Sequence, residues 1–111
     1  MHTRAKGNLA EERGCEYLRK RGLRIIDRNV YNRFGEIDII AMDGQNVLHF
    51  VEVKSAQSYE QAIYNITVSK LQKLTRTIQT YLQHKKLTFD YCIDALIVSD
   101  EGIDWIENIT L

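Results

Sequence analysis

The sequence predicts a mixed α/β domain in the order helix, three strands, helix, two strands, gathered around a mixed central sheet. Two segments of about twenty residues carry apolar side chains at three- and four-residue spacing, the helical period. Between and after them lie shorter runs rich in β-branched and aromatic residues, separated by turn-forming residues. The chain has 111 residues, 44% of them hydrophobic, and no proline. That length predicts a single domain spanning residues 1–111, large enough for a core, with room for a second subunit to complete a composite site. No repeat or low-complexity tract divides it.

Helix one is expected over Thr3–Arg21. Gly7, Ala10, Glu11, Gly14, Cys15 and Leu18 recur on one stripe, with Glu12, Glu16, Arg19 and Lys20 elsewhere around the axis. Glu11 is thus an acid on the buried stripe. Glu12 points about 100° away and reads as a surface acid. Gly22 stops the helix, and Leu23–Val30 reads as the first strand. Gly35–Ala41 and Val47–Lys54 form the next two, joined through Asp43-Gly44-Gln45-Asn46. If Asp43 pairs with Val47, a three-residue loop remains in which Asn46 takes the left-handed conformation, and Asp38 falls opposite Glu52. Ser55–Ile66 has no clear period and reads as a loop beside the hairpin. Helix two is expected over Thr67–Lys86, with Val68, Leu71, Leu74, Ile78, Tyr81 and Leu82 on one stripe and Lys70, Lys73 and Thr77 on another. Phe89–Val98 and Ile103–Ile109 are the last two strands, separated by Ser99-Asp100-Glu101-Gly102.

The chemistry-bearing residues concentrate in the hairpin. Glu52 and Lys54 share one face of their strand, roughly 6 to 7 Å apart, with Leu48 and Phe50 continuing it inward. Isoleucines surround Asp38, and Phe50, Val51 and Val53 surround Glu52. Charged groups in such strands are paired or bind a cation. Asp38 and Glu52 supply the hard oxygen ligands that Mg²⁺ takes together with waters and phosphate oxygens. An ammonium beside them, Lys54, is placed to orient a water or to stabilise developing charge. A simple solvated Glu-Lys couple is the plainer alternative.

Charge is segregated along a chain whose net charge is zero. Lysines and arginines minus aspartates and glutamates give 9 − 4 = +5 for residues 1–33, 1 − 5 = −4 for 34–66, 5 − 0 = +5 for 67–86 and 0 − 6 = −6 for 87–111. Two basic elements flanking an acidic centre would draw a phosphate backbone to the flanks and metal to the middle. Lys70 and Lys73, in the first turns of helix two, are the candidate nucleic-acid contacts. Asp94 ranks below Asp38 as a further acid. Cys15 and Cys92 lack metal or redox spacing and read as buried free thiols, and His49, inside a strand, as a packing or hydrogen-bonding residue. No segment approaches 18 apolar residues and the first residues are polar, so a cytoplasmic protein with no membrane association is expected.

Taken together, Glu11 on its helix, Gly35-Glu36-Ile37-Asp38, Val51-Glu52-Val53-Lys54 and the later Lys70/Lys73/Leu74 helix resemble the YraN family of small bacterial proteins. That family belongs to the restriction-endonuclease-like PD-(D/E)xK superfamily, which includes archaeal Holliday-junction resolvases. The resemblance covers nearly the whole chain. It implies a restriction-endonuclease-like fold and a nuclease-type site of Glu11, Asp38, Glu52 and Lys54. Glu11, Asp38 and Glu52 would bind Mg²⁺ or Mn²⁺, and the substrate would be DNA, possibly branched. The chain departs from the family pattern at Ala56, where a basic residue is usual, and at Ala10, where glycine is. The alternative function is a non-catalytic nucleic-acid- or partner-binding domain that retains the fold.

Overall fold

A computed structural model describes the backbone of residues 2–109 and the side chains of residues 9–109. Its elements are α1 (His2–Lys20), β1 (Arg24–Asn32), β2 (Gly35–Met42), β3 (Leu48–Ser55), α2 (Tyr59–Tyr64), α3 (Val68–Lys85), β4 (Tyr91–Ser99) and β5 (Gly102–Ile106). The five strands form one mixed sheet in sequential order, antiparallel except for the parallel pair β3 and β4. A parallel pair needs a crossover of a dozen residues or more, and α2 and α3 provide it. The segment 55–66, expected to be a loop, therefore holds a short helix. Ser58 caps it by accepting the Gln61 N–H, and Ala62 is its buried contact. Six residues are too few to display a period.

Helices cover both faces of the sheet. On one, Cys15 and Leu18 of α1 pack with Ile39, Ala41, Val51 and Leu96. Gly14 lies so close to β4 that a Cβ there would meet Leu96 Cδ2 at 2.6 Å, so the glycine sets the helix-to-sheet distance. The expected buried stripe of α1 holds from Ala10 to Leu18, Glu11 included. Gly7, also placed on that stripe, lies outside the residues whose packing is described. Gly22, at φ +89°, turns the chain out of the helix into β1. On the other face Leu74, Ile78 and Tyr81 of α3 pack with Ile37, Ile40, Phe50 and Ile93. Val68, expected on the buried stripe of α3, is 69% exposed. It is the first residue of the helix, directly after the Thr67 cap that accepts the Lys70 N–H. Among the described residues no helix is long and apolar enough to cross a membrane.

The β2–β3 hairpin has the register expected from its turn. Met42 pairs with Leu48, Ala41 with His49 and Ile39 with Val51. The Asp43 N–H donates to the Val47 carbonyl, and Asn46 is left-handed at φ 63°. One rung beyond Ile39 and Val51, this register sets Asp38 against Glu52. Strict alternation nonetheless fails at that rung. Ile37 and Ile40 pack in the same cluster under α3, joined by Val30 of β1, although Arg28 turns to Glu12 of α1. Between Arg28 and Val30, Asn29 is left-handed at φ 51°. The pairing keeps its register there, Arg28 with Ile39 and Val30 with Ile37, and the shift between these strands lies at Ile25 and Asp27. The left-handed conformation at Asn29 is one asparagine tolerates better than most residues.

Candidate functional site

Three acids come together from two elements. Carboxylate oxygens of Glu11 (α1), Glu36 and Asp38 (both β2) all lie within 4.8 Å of one another. Asp38 Oδ2 accepts the Val53 backbone N–H at 2.8 Å, which ties β2 to β3 by a side chain where the ladder departs from its regular form. Glu52 contributes its charge to the same space and pairs with Lys54, Oε1 to Nζ 3.1 Å. All four residues singled out from the sequence, Glu11, Asp38, Glu52 and Lys54, thus come to one neighbourhood. Glu36 was missed. Its signal was its place two residues before Asp38, the spacing that puts two side chains on one face of a strand, but its exposure at the start of β2, just after a turn, gave it the look of a surface acid.

The electrostatics are unbalanced. Burial pushes the Asp38 carboxyl up to about 8, the Glu52 charge adds to the rise, and the Val53 N–H opposes it. Burial also raises Glu11, against a hydrogen bond from Asn29 and the charge of Arg28, with Glu36 and Glu52 adding smaller upward pushes. Glu11 is only 9% exposed, and its Oε1 is a buried oxygen without a hydrogen-bond partner. Arg28 Nη2 stands 3.9 Å from that oxygen, too far for a hydrogen bond, because its Nη1 is held by Glu12 at 2.8 Å. Glu12 is the exposed member of the pair, as its helical position predicts. Crowded acids with an orphaned buried oxygen fit a hard divalent cation, whose charge would compensate them.

Beside these acids a cavity of about 230 Å³ opens between the sheet and α3. Glu36, Glu52 and Lys54 line it from the strands, Lys70 and Lys73 from the helix. Lys70 Nζ also donates to the Asn65 carbonyl at 2.9 Å, which braces it in the first turn of α3. The basic helix and the acidic hairpin therefore border one space.

A different polar cluster lies near the start of β3. His49 Nδ1 is 2.6 Å from Asp94 Oδ2, and its Nε2 is 2.8 Å from Asp43 Oδ2. Trp105 Nε1–H and the Asn108 N–H donate to Asp94 at 3.0 and 2.9 Å. The hydrogen-bonding role expected of His49 is what the structure has. Asp94 stands in this cluster and not among the acids around Asp38. Both cysteines are free, Cys15 buried and Cys92 only partly so.

Residues 10–98 match an uncharacterised protein family, UPF0102. Similar relatives, each called a UPF0102 protein, include one from Sulfurimonas denitrificans, 55% identical over 109 residues, covering 98% of this chain and 99% of the relative. One from Helicobacter hepaticus is 52% identical over 111 residues, covering 100% and 99%. A third, from Wolinella succinogenes, is 54% identical over 109 residues, covering 98% and 99%.

Proposed function

This chain belongs to the uncharacterised protein family UPF0102, and we propose that it is a divalent-metal-dependent endonuclease hydrolysing phosphodiester bonds in DNA, built on a restriction-endonuclease-like fold. The observation that carries this reading is the convergence of three carboxylates within 4.8 Å beside a paired Glu52 and Lys54. The lysine-bordered cavity next to them supports a phosphate-bearing substrate.

In this reading Asp38, Glu11 and Glu36 hold Mg²⁺ or Mn²⁺, with Glu52 at the margin. The bound ion supplies Lewis-acid polarisation of a phosphoryl oxygen and lowers the pKa of a coordinated water. Asp38 would hold the ion as a carboxylate, since a bound divalent charge would offset the cost of burying it ionised. Glu52 holds the Lys54 ammonium toward the cavity, where it neutralises charge building on the phosphate or orients the attacking water. Lys70 and Lys73 contact neighbouring phosphates and set the register of the strand without reading bases.

The test is cleavage of duplex, single-stranded and four-way-junction DNA with and without Mn²⁺. Metal-dependent cleavage, lost in Asp38→Ala and Lys54→Ala while DNA binding persists, is the expected result. Wild-type protein that binds DNA but cuts none of the three substrates would instead establish a binding domain that retains the nuclease fold.

A further inference from the structure

The cluster near the start of β3 offers a second set of metal-ligating atoms, of a different chemical kind. His49 and Cys92 are direct partners in the parallel β3–β4 ladder, and Asp94, two residues beyond Cys92, shares its face. Cys92 Sγ lies 3.2 Å from His49 Nδ1 and 3.3 Å from Asp94 Oδ1. One nitrogen, one sulfur and a carboxylate thus lie within 4.8 Å of one another. Each is fixed from behind. Asp43 holds the far ring nitrogen of His49, and Trp105 Nε1–H and the Asn108 N–H hold Asp94, which is fully buried. A carboxylate on the far nitrogen of a histidine is the usual support of a metal-binding imidazole.

We propose that His49 Nδ1, Cys92 Sγ and an Asp94 oxygen form a site for Zn²⁺ or a similar borderline-soft divalent transition metal, with a fourth position left for water. Tetrahedral zinc places such donors about 3.4 to 3.6 Å apart. The His49 to Asp94 separation of 2.6 Å must therefore open by less than about 1 Å, and the two sulfur distances by a few tenths. Without metal, each ring nitrogen of His49 faces a carboxylate and the Cys92 thiol donates to Asp94 Oδ1. Metal binding would displace the thiol proton and any proton on Nδ1. Thiolate and imidazole select against Mg²⁺ and set this site apart from the carboxylates around Asp38. The metal would join the β2–β3 turn, β3, β4 and the segment after β5 through its ligands and their supports.

The experiment titrates the full chain, first treated with chelator, with Co²⁺ and then Zn²⁺. One equivalent of Co²⁺ should give tetrahedral visible bands and a thiolate-to-cobalt charge-transfer band, which Zn²⁺ then displaces while raising the thermal midpoint. Cys92→Ser should remove the charge-transfer band, and His49→Gln should weaken binding by about 100-fold or more. Asp43→Asn, which only orients His49, should weaken it roughly 10- to 100-fold. Asp38→Ala combined with Glu52→Ala should leave it unchanged, so this result stands apart from that of the nuclease assay. No charge-transfer band in the wild type, or one that survives Cys92→Ser, overturns the proposal. Should the variants fail to fold, wild-type labelling by N-ethylmaleimide decides. Zn²⁺ should protect Cys92, and equal labelling with and without Zn²⁺ overturns the site.

Discussion

Two polar clusters occupy the same sheet, and they solve the problem of burying charge in opposite ways. Around His49 every acid meets a donor: Asp94 takes hydrogen bonds from His49, Trp105 and the Asn108 backbone, and Asp43 takes the other side of the imidazole. Around Asp38 acid meets acid, and Glu11 Oε1 has no donor at all. The first arrangement stabilises the fold as it stands. The second costs stability, a cost that the proposed cation would offset.

The comparison breaks most sharply on activity. Asp38→Asn should reduce Mn²⁺-dependent DNA cleavage by roughly 10²- to 10³-fold or more, in line with removal of one preorganised electrostatic group. The same variant should raise the thermal midpoint of the metal-free protein by a few degrees, about 4 to 8 °C for each kcal/mol recovered. A variant that loses both activity and stability would put Asp38 in the same class as His49.

His49→Ala probes the other side. It leaves Asp94 buried without the imidazole 2.6 Å from its Oδ2, and removing one partner of a buried pair typically costs about 3 to 5 kcal/mol. Urea unfolding should show that loss as a lower midpoint with an unchanged slope. An effect under about 1 kcal/mol would mean that Trp105 and the Asn108 N–H satisfy Asp94 alone.

The pH dependence separates the clusters further. Asp38 is raised from 3.8 to about 8 in the fold, so the folded state binds the extra proton between those values. Stability from this group is full below pH 3.8 and falls as pH rises through 8. A divalent cation removes that loss, so the midpoint gain from Mg²⁺ or Mn²⁺ should be larger at pH 8 than at pH 6. His49 has the reverse partnership. Burial would lower it, but the hydrogen bonds and charges of Asp43 and Asp94 outweigh burial and raise it. Its contribution is full below pH 6.5 and is lost as pH rises through the folded value. His49, through Asp43, holds that carboxyl below its usual value, which adds stability above pH 3.8 that is lost on acidification. Thermal scans from pH 4 to 9 on wild type, Asp38→Asn and His49→Gln should therefore differ in slope. Identical slopes for all three would contradict both assignments.

The smallest effect concerns the basic helix. Lys70→Ala with Lys73→Ala should weaken DNA binding for every sequence and make the log-log salt slope shallower by roughly two units or fewer. Unchanged affinity and slope would make these lysines an ordinary solvated face and leave the cavity without a role in holding phosphate.

Much of the acid site was legible before the fold. The turn Asp43-Gly44-Gln45-Asn46 set the hairpin register, Met42 with Leu48 through Ile39 with Val51, and that register leads Asp38 toward Glu52 although alternation fails at Asp38 itself. Helical spacing placed Glu11 on the buried stripe of α1. The break in alternation around Asp38 was not legible, since it depends on how the strands settle between α1 and α3. Nor was the His49 cluster, whose members come together only through parallel pairing across a crossover of about 35 residues. Val68 shows the same limit from the helix side: its period was right, but as the first residue of its helix it stays exposed.

By itself, then, the sequence determined what acts within one element or across one tight turn: the five strands and the two long helices, the hairpin register, the buried stripe of α1, and the Asp38, Glu52 and Lys54 grouping. Periodicity and turn chemistry operate over a few residues and need no knowledge of neighbours. Only the tertiary structure decided which helix acid reaches Asp38, how far its carboxyl is raised, and that His49 stands between Asp43 and Asp94. Those outcomes depend on strand order, on the crossover and on exclusion of water, which arise only when distant segments pack together.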